Sequence, residues 1–155
     1  MIACLQRVTS ASVMVNATCV GAIDRGLLVL VGVAKGDVEV DARRLAARVA
    51  GYRCFPSEDG SKPMDRSVLD LGLAILAVSQ FTLCADTRKG MRPGFDGAAP
   101  PEEAVALYEV FVEELRRSGV GRVETGRFRA SMQVSLVNDG PVTLWLDTRA
   151  RRAAP

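Results

Sequence analysis

Ser79-Gln80-Phe81-Thr82 sets two hydroxyls and a primary amide directly behind the apolar run 73–78. Polar groups where a buried strand emerges can offer donors and acceptors to a ligand, or can simply terminate the strand. A threonine nucleophile would also need a base. The chain contains no histidine, which excludes Ser-His-Asp and Cys-His catalysis, zinc sites built on histidine and imidazole acid-base work near neutral pH. The remaining candidate bases are a carboxylate such as Asp86, or a group of the substrate itself. Shortly after, Arg88-Lys89-Gly90-Met91-Arg92-Pro93-Gly94-Phe95 combines three cations with two glycines and a proline. That composition suits a basic loop touching phosphates, and equally a solvated turn. Gly140-Pro141 joins two strand-like runs. Most X-Pro bonds are trans, so the residues alone favour an ordinary turn there. Arg7, between Leu5 and Val8, either reaches solvent or orders a buried carbonyl.

These groups must be held by strands and helices that the patterning makes legible. Residues 1–8, 12–23 (interrupted around Asn16-Ala17) and 26–33 read as strands with short connections, an antiparallel meander. From Asp37 the period changes, because Ala42, Leu45, Ala46 and Val49 share a helical face that Arg43, Arg44 and Arg48 largely avoid. Residues 51–55 read as a further short strand, and 56–63 as an exposed loop rich in turn residues. The run 73–78 is nearly uninterrupted in apolar character, as expected of a central strand covered on both faces. Pro100, Pro101, Glu102 and Glu103 open a second helix, which presents Ala104, Leu107, Tyr108, Phe111 and Leu115 on one face and stops before Gly119. Residues 131–137 and 142–146 are strand-like and flank Asn138-Asp139-Gly140-Pro141, where a sharp turn or kink is expected.

At 155 residues, with 48% hydrophobic and 25% charged side chains, the chain suits a single globular domain. We place that domain at 1–147, with 148–155 as a short arginine-bearing tail, frayed for want of anything to bury. A net charge of +2 argues against holding long nucleic acid by bulk electrostatics, though not against a local basic patch. The cysteines, Cys4, Cys19, Cys54 and Cys84, form no C-x-x-C pair and read as buried reduced thiols. Residues 1–15 lack the apolar core of a signal peptide and no stretch approaches a membrane span, so a cytoplasmic location is expected.

Taken together, these segments closely resemble the D-aminoacyl-tRNA deacylases, also called D-Tyr-tRNA(Tyr) deacylases. The match is carried by Gln6-Arg7-Val8-Thr9 with Ala11-Ser12-Val13, Gly26-Leu27-Leu28-Val29-Leu30, Ser79-Gln80-Phe81-Thr82-Leu83, Gly90-Met91-Arg92-Pro93, Thr125-Gly126-Arg127-Phe128 and the run from Met132 to Thr143 through Asn138-Asp139-Gly140-Pro141. The resemblance implies an α/β fold of the α+β kind, a mostly antiparallel, barrel-like sheet packed with two main helices. It implies a homodimer with each active site at the interface, where a cis Gly140-Pro141 bond enters the partner's pocket. Thr82 and Gln80 are then the catalytic candidates. Ser79, Phe81, Gly140, Pro141, Arg7, Phe128 and Met132 are the substrate-binding ones, and Arg88, Lys89 and Arg92 are candidate contacts to the tRNA acceptor end.

The implied reaction is hydrolysis of the ester joining a D-amino acid to the terminal adenosine of tRNA, extended to glycine mischarged on tRNA(Ala). Such an ester is already activated, so positioned water and backbone N–H groups for the oxyanion suffice without histidine, metal or cofactor. The vicinal ribose hydroxyl can assist the water, while Thr82 contributes by its backbone N–H or by positioning. A non-catalytic nucleic-acid-binding dimer of the same fold is the main rival reading, and a hydrolase of other small acyl esters, which would need no chirality filter, is the second. Two departures from the family pattern, Gly94 and Lys62-Pro63-Met64-Asp65, touch loops outside the two most specific motifs.

Overall fold

β1 (Ile2–Val15) is long enough to serve three neighbours. Its residues 2–8 pair antiparallel with β3 (Gly26–Gly32), and its residues 11–15 with β2 (Thr18–Ile23). β6 (Gln133–Asp147) runs antiparallel along both stretches. From β3 the chain passes through α1 (Glu39–Ala50) to β4 (Ala74–Ser79), and from there through α2 (Pro101–Arg117) to β5 (Arg122–Thr125). Both crossings return parallel to the strand they left, as βαβ connections do. This computed structural model describes residues 1–149.

The helices form as their residues dictate. Glu39 and Asp41 lie at the positive end of α1 and Arg48 at its negative end, and Ala42, Leu45, Ala46 and Val49 are buried. In α2, Pro101 opens the helix, Glu102 and Glu103 follow, and Tyr108, Phe111, Val112 and Leu115 are buried. Both helices pack on one face of the sheet around Leu5, Val29, Ile75 and Phe55. Val8, Val13, Leu28, Leu76 and Val78 form a second cluster. β4 therefore buries alternate residues in two different cores, which is why its sequence shows no polar face.

Three expectations are corrected. The first three strands are not a meander, because β3 pairs with β1 rather than β2 and the order is β2-β1-β3-β4-β5. Residues 51–55 form no strand: a turn leads to a single bridge between Phe55 and Arg66, where Pro56 denies the next residue a donor. The segment Asn138-Asp139-Gly140-Pro141 is no turn either. It lies inside β6, which bulges against β1 between Gln6 and Ser10 and pairs only with that strand, an edge position where a proline is tolerated. The Gly140-Pro141 bond is cis. The cysteines also depart from the expected burial: Cys19 is exposed, Cys4 and Cys84 are half-buried and only Cys54 is buried, and all four are free thiols. Beyond β6, Thr148 is buried and accepts a 2.6 Å hydrogen bond from the Met1 amino group, which also contacts Asp37 at 2.7 Å. The rest of the expected tail, 150–155, lies outside the described residues.

The two ends of the strand order approach each other and curl the sheet towards a barrel. A Cβ added to Gly21 of β2 would stand 2.6 Å from the Thr125 carbonyl oxygen of β5, closer than real contacts allow. Gly21→Ala is therefore expected to destabilise the fold by about 1–3 kcal/mol, the usual cost of overpacking. A urea titration that placed it within 0.5 kcal/mol of the parent, roughly the scatter of a neutral surface change, would show that β2 can move off β5.

Candidate active site

Because β3, β4 and β5 run parallel, their carboxyl ends lie along one edge, where open α/β sheets form ligand crevices. A cavity of about 510 Å³ opens there. Val31, Val33 and Val78 from the ends of β3 and β4 line it, Ser79, Gln80 and Phe81 form one wall, and Phe128, Met132 and Val134 lie beyond β5. Most of this surface is apolar, with few polar groups to orient a ligand.

The supporting contacts are specific. Gln80 Nε2 donates to Thr82 Oγ1 at 2.6 Å, tying the amide to the hydroxyl. Phe81 is exposed and packs tilted against Phe95, 5.0 Å between centroids. Phe128 leans on Tyr108, whose hydroxyl donates to the Ala77 carbonyl at 2.9 Å. Burial pushes the Tyr108 phenol well above its ordinary range, so it stays a neutral donor. Gly126 leaves space that Met132 uses, since a Cβ there would stand 2.6 Å from the Met132 sulfur.

The cavity thus gathers Ser79, Gln80, Phe81, Phe128 and Met132. Thr82 is exposed in the short 3₁₀ helix Phe81–Cys84, beside the wall rather than on it. Arg7, Gly140 and Pro141 do not line this cavity. Arg7 Nη1 donates to the Cys54 carbonyl at 2.7 Å, and its Nε lies 2.8 Å from the Asp139 carboxylate, an ion-pair approach without hydrogen-bond alignment. Asn138 Nδ2 in turn donates to the carbonyls of Arg7 and Val142, so Arg7 braces the segment that carries Gly140-Pro141. Arg88, Lys89 and Arg92 line a second cleft beyond the 3₁₀ helix.

Asp86 lies in that second cleft, away from Ser79 and Gln80. Arg88 hydrogen bonds to both its oxygens, at 2.8 and 2.7 Å, and holds its carboxyl well below the usual carboxylate range, so it is no base for Thr82. Sequence reasoning missed Val31, Val33 and Arg129. The first two follow only from the parallel pairing of β3 with β4. Arg129 takes a left-handed backbone, φ 63°, that nothing in its residue type announces. Among the described residues no three His, Cys, Asp or Glu side chains gather as metal ligands, and no helix is long and apolar enough to cross a membrane.

A family model described as D-Tyr-tRNA(Tyr) deacylase matches residues 4–147. The chain belongs to that family. It is 56% identical over 148 residues to the D-aminoacyl-tRNA deacylase of Pectobacterium atrosepticum, covering 96% of this chain and 100% of the relative. To the D-aminoacyl-tRNA deacylase of Halorhodospira halophila it is 54% identical over 155 residues, covering 100% and 99%. Among solved structures, the c-Myc DNA Unwinding Element Binding Protein superposes with a TM-score of 0.91 at 40% identity, covering 96% of this chain and 99% of that one. A probable eukaryotic D-amino acid tRNA deacylase shares the fold, with a TM-score of 0.80 at 17% identity over 94% and 97% of the two chains. The α+β architecture that the resemblance implies is thus the one found.

Proposed function

We propose that this chain hydrolyses the ester between a D-amino acid and the terminal adenosine of tRNA, as a cytoplasmic homodimer. The cavity walled by Ser79, Gln80 and Phe81 carries the reading, in a chain more than half identical to enzymes named for this activity. Phe81 and Thr82 open a 3₁₀ turn, where the first N–H groups lack intrahelical partners and suit a developing oxyanion. The Thr82 hydroxyl accepts from Gln80, and among the described residues the candidate base Asp86 lies in the other cleft. Thr82 therefore serves through its main chain and by position, and the vicinal ribose hydroxyl assists the attacking water.

Support for the homodimer comes from β6. Gly140 and Pro141 lie on an edge strand beside exposed Leu136 and Val137, away from the cavity of their own chain. In a pair of chains the segment enters the partner's cavity, where its main-chain carbonyls hold the α-ammonium and leave an L side chain no room. Glycine has nothing to exclude, so glycyl-tRNA, including glycine mischarged on tRNA(Ala), is expected to be cleaved as well.

The test compares D-Tyr-tRNA, L-Tyr-tRNA and glycyl-tRNA with purified protein, with and without chelator. Chelator-insensitive loss of the D and glycyl esters, with the L ester spared, is the expected result. Appreciable L-Tyr-tRNA hydrolysis would sink the exclusion mechanism. Survival of all three esters would favour a non-catalytic nucleic-acid-binding dimer, a reading that the 40% identity to the c-Myc DNA Unwinding Element Binding Protein keeps in play.

A further inference from the structure

The second cleft, about 760 Å³, contains features that ester hydrolysis does not use. Trp145, the chain's single tryptophan, lines it and is 55% exposed. Around it stand the cations Arg88, Lys89, Arg92 and Arg149, and among the described residues the lining includes the carboxylates of Asp86 and Asp96. Two of these cations are already committed: Arg88 grips Asp86, and Arg149 grips Asp147. Lys89 and Arg92 form no ion pair among the described residues. An open indole beside unpaired cations is the pairing that binds unpaired nucleotides, the ring stacking on a base while the charges meet phosphates. A second copy of this chain is a poorer occupant, because it would bring the same cations against themselves.

We propose that this cleft is a separate nucleotide subsite, in which Trp145 stacks on an unpaired base of the tRNA acceptor strand while Lys89 and Arg92 hold its phosphates. The inference rests on the deacylase reading and extends it. Residues of the Phe81–Cys84 turn border both cavities, Phe81 the first and Leu83 and Cys84 the second. Four residues of 3₁₀ helix rise about 8 Å, so one strand can place its aminoacyl adenosine in the first cavity and an earlier nucleotide in the second.

Because Trp145 is the only tryptophan, its emission reports the site without turnover. Titrating the protein with an uncharged single-stranded RNA oligonucleotide ending in CCA is expected to quench that emission saturably. Added salt should weaken binding, with a log–log slope shallower by about 1.4 in the Lys89→Ala/Arg92→Ala double variant, about 0.7 for each phosphate no longer neutralised. In turnover, Trp145→Ala is expected to raise KM for D-Tyr-tRNA about tenfold, the order of one base stack removed, and Trp145→Phe to restore most of it. D-tyrosyl-adenosine, too short to reach the cleft, should be cleaved equally by all variants.

Absence of a quench, an equal loss on both substrates, or dissociation of the dimer by Trp145→Ala in sedimentation would each overturn the subsite. The last would mark Trp145 as a contact between copies. Failure of the wild type to cleave either ester would overturn the deacylase reading instead, since the quench is read without it.

Discussion

Removing the 2′-hydroxyl from the terminal adenosine of a D-Tyr-tRNA esterified at its 3′ oxygen is expected to slow deacylation by about 10²–10⁴-fold, the contribution of a well-placed proton-transfer group. Thr82→Ala, by contrast, should change the rate by less than about tenfold, which is smaller than the loss of a single positioned proton-transfer group. The asymmetry follows from what surrounds the reacting ester. There is no imidazole in the chain, and Asp86 is engaged by Arg88 in the other cleft. The Thr82 hydroxyl is an acceptor from Gln80, and Ser79 stands at the end of β4 with no titratable neighbour on the cavity wall except Arg129. Arginine stays protonated and cannot take a proton from water. In the proposed mechanism the proton therefore moves through the substrate, by way of the hydroxyl beside the ester. Single-turnover rates on matched ribo and deoxy substrates give the comparison directly. A Thr82→Ala loss as large as the deoxy loss would assign the chemistry to the side chain.

How much of this is legible in the sequence depends on how far apart the cooperating residues lie. The faces of α1 and α2 are local, and Leu45 and Val49, or Phe111 and Leu115, are buried where their spacing puts them. The polar end of β4 is legible for the same reason, since Ser79-Gln80 follows an apolar run without a gap. Which edges pair is not a local property. The apolar patterning of residues 18–23 and 26–32 is equally compatible with a meander and with β1 in the middle, and it is the pairing of both segments with the long β1 that decides it. Val31 and Val33 enter the site through that unseen pairing. Gly140-Pro141 stands out in the sequence yet reads there as a turn, because a bulge in an edge strand and a turn use the same residues. The motif resemblance names Arg7, but what it braces emerges only in the fold, because Cys54 lies 47 positions further along the chain and Asp139 stands in the last strand.

Arg7→Lys is expected to cost about 10²-fold in D-Tyr-tRNA hydrolysis while the chain stays folded and keeps the parent's oligomeric state, the order of loss that a misplacement near 1 Å can cause. A guanidinium fork spans two acceptors at once, whereas an ammonium is a single point charge on a flexible stem. Arg7 reaches two partners at once, its Nη1 donating to the Cys54 carbonyl while its Nε makes an ion-pair approach to the Asp139 carboxylate. Its side chain is only 11% exposed, so a lysine that kept one partner would leave the other group without its cation. Asp139 is 38% exposed and can turn to water, which limits the loss of stability. The same freedom is what harms function, because Asp139 directly precedes Gly140-Pro141 in the segment proposed to enter the partner's cavity. A small drop in unfolding midpoint with a large drop in turnover is therefore the signature. Arg7→Lys with near-parental turnover would show that Asn138, bonded to the Arg7 and Val142 carbonyls, holds the segment without the guanidinium.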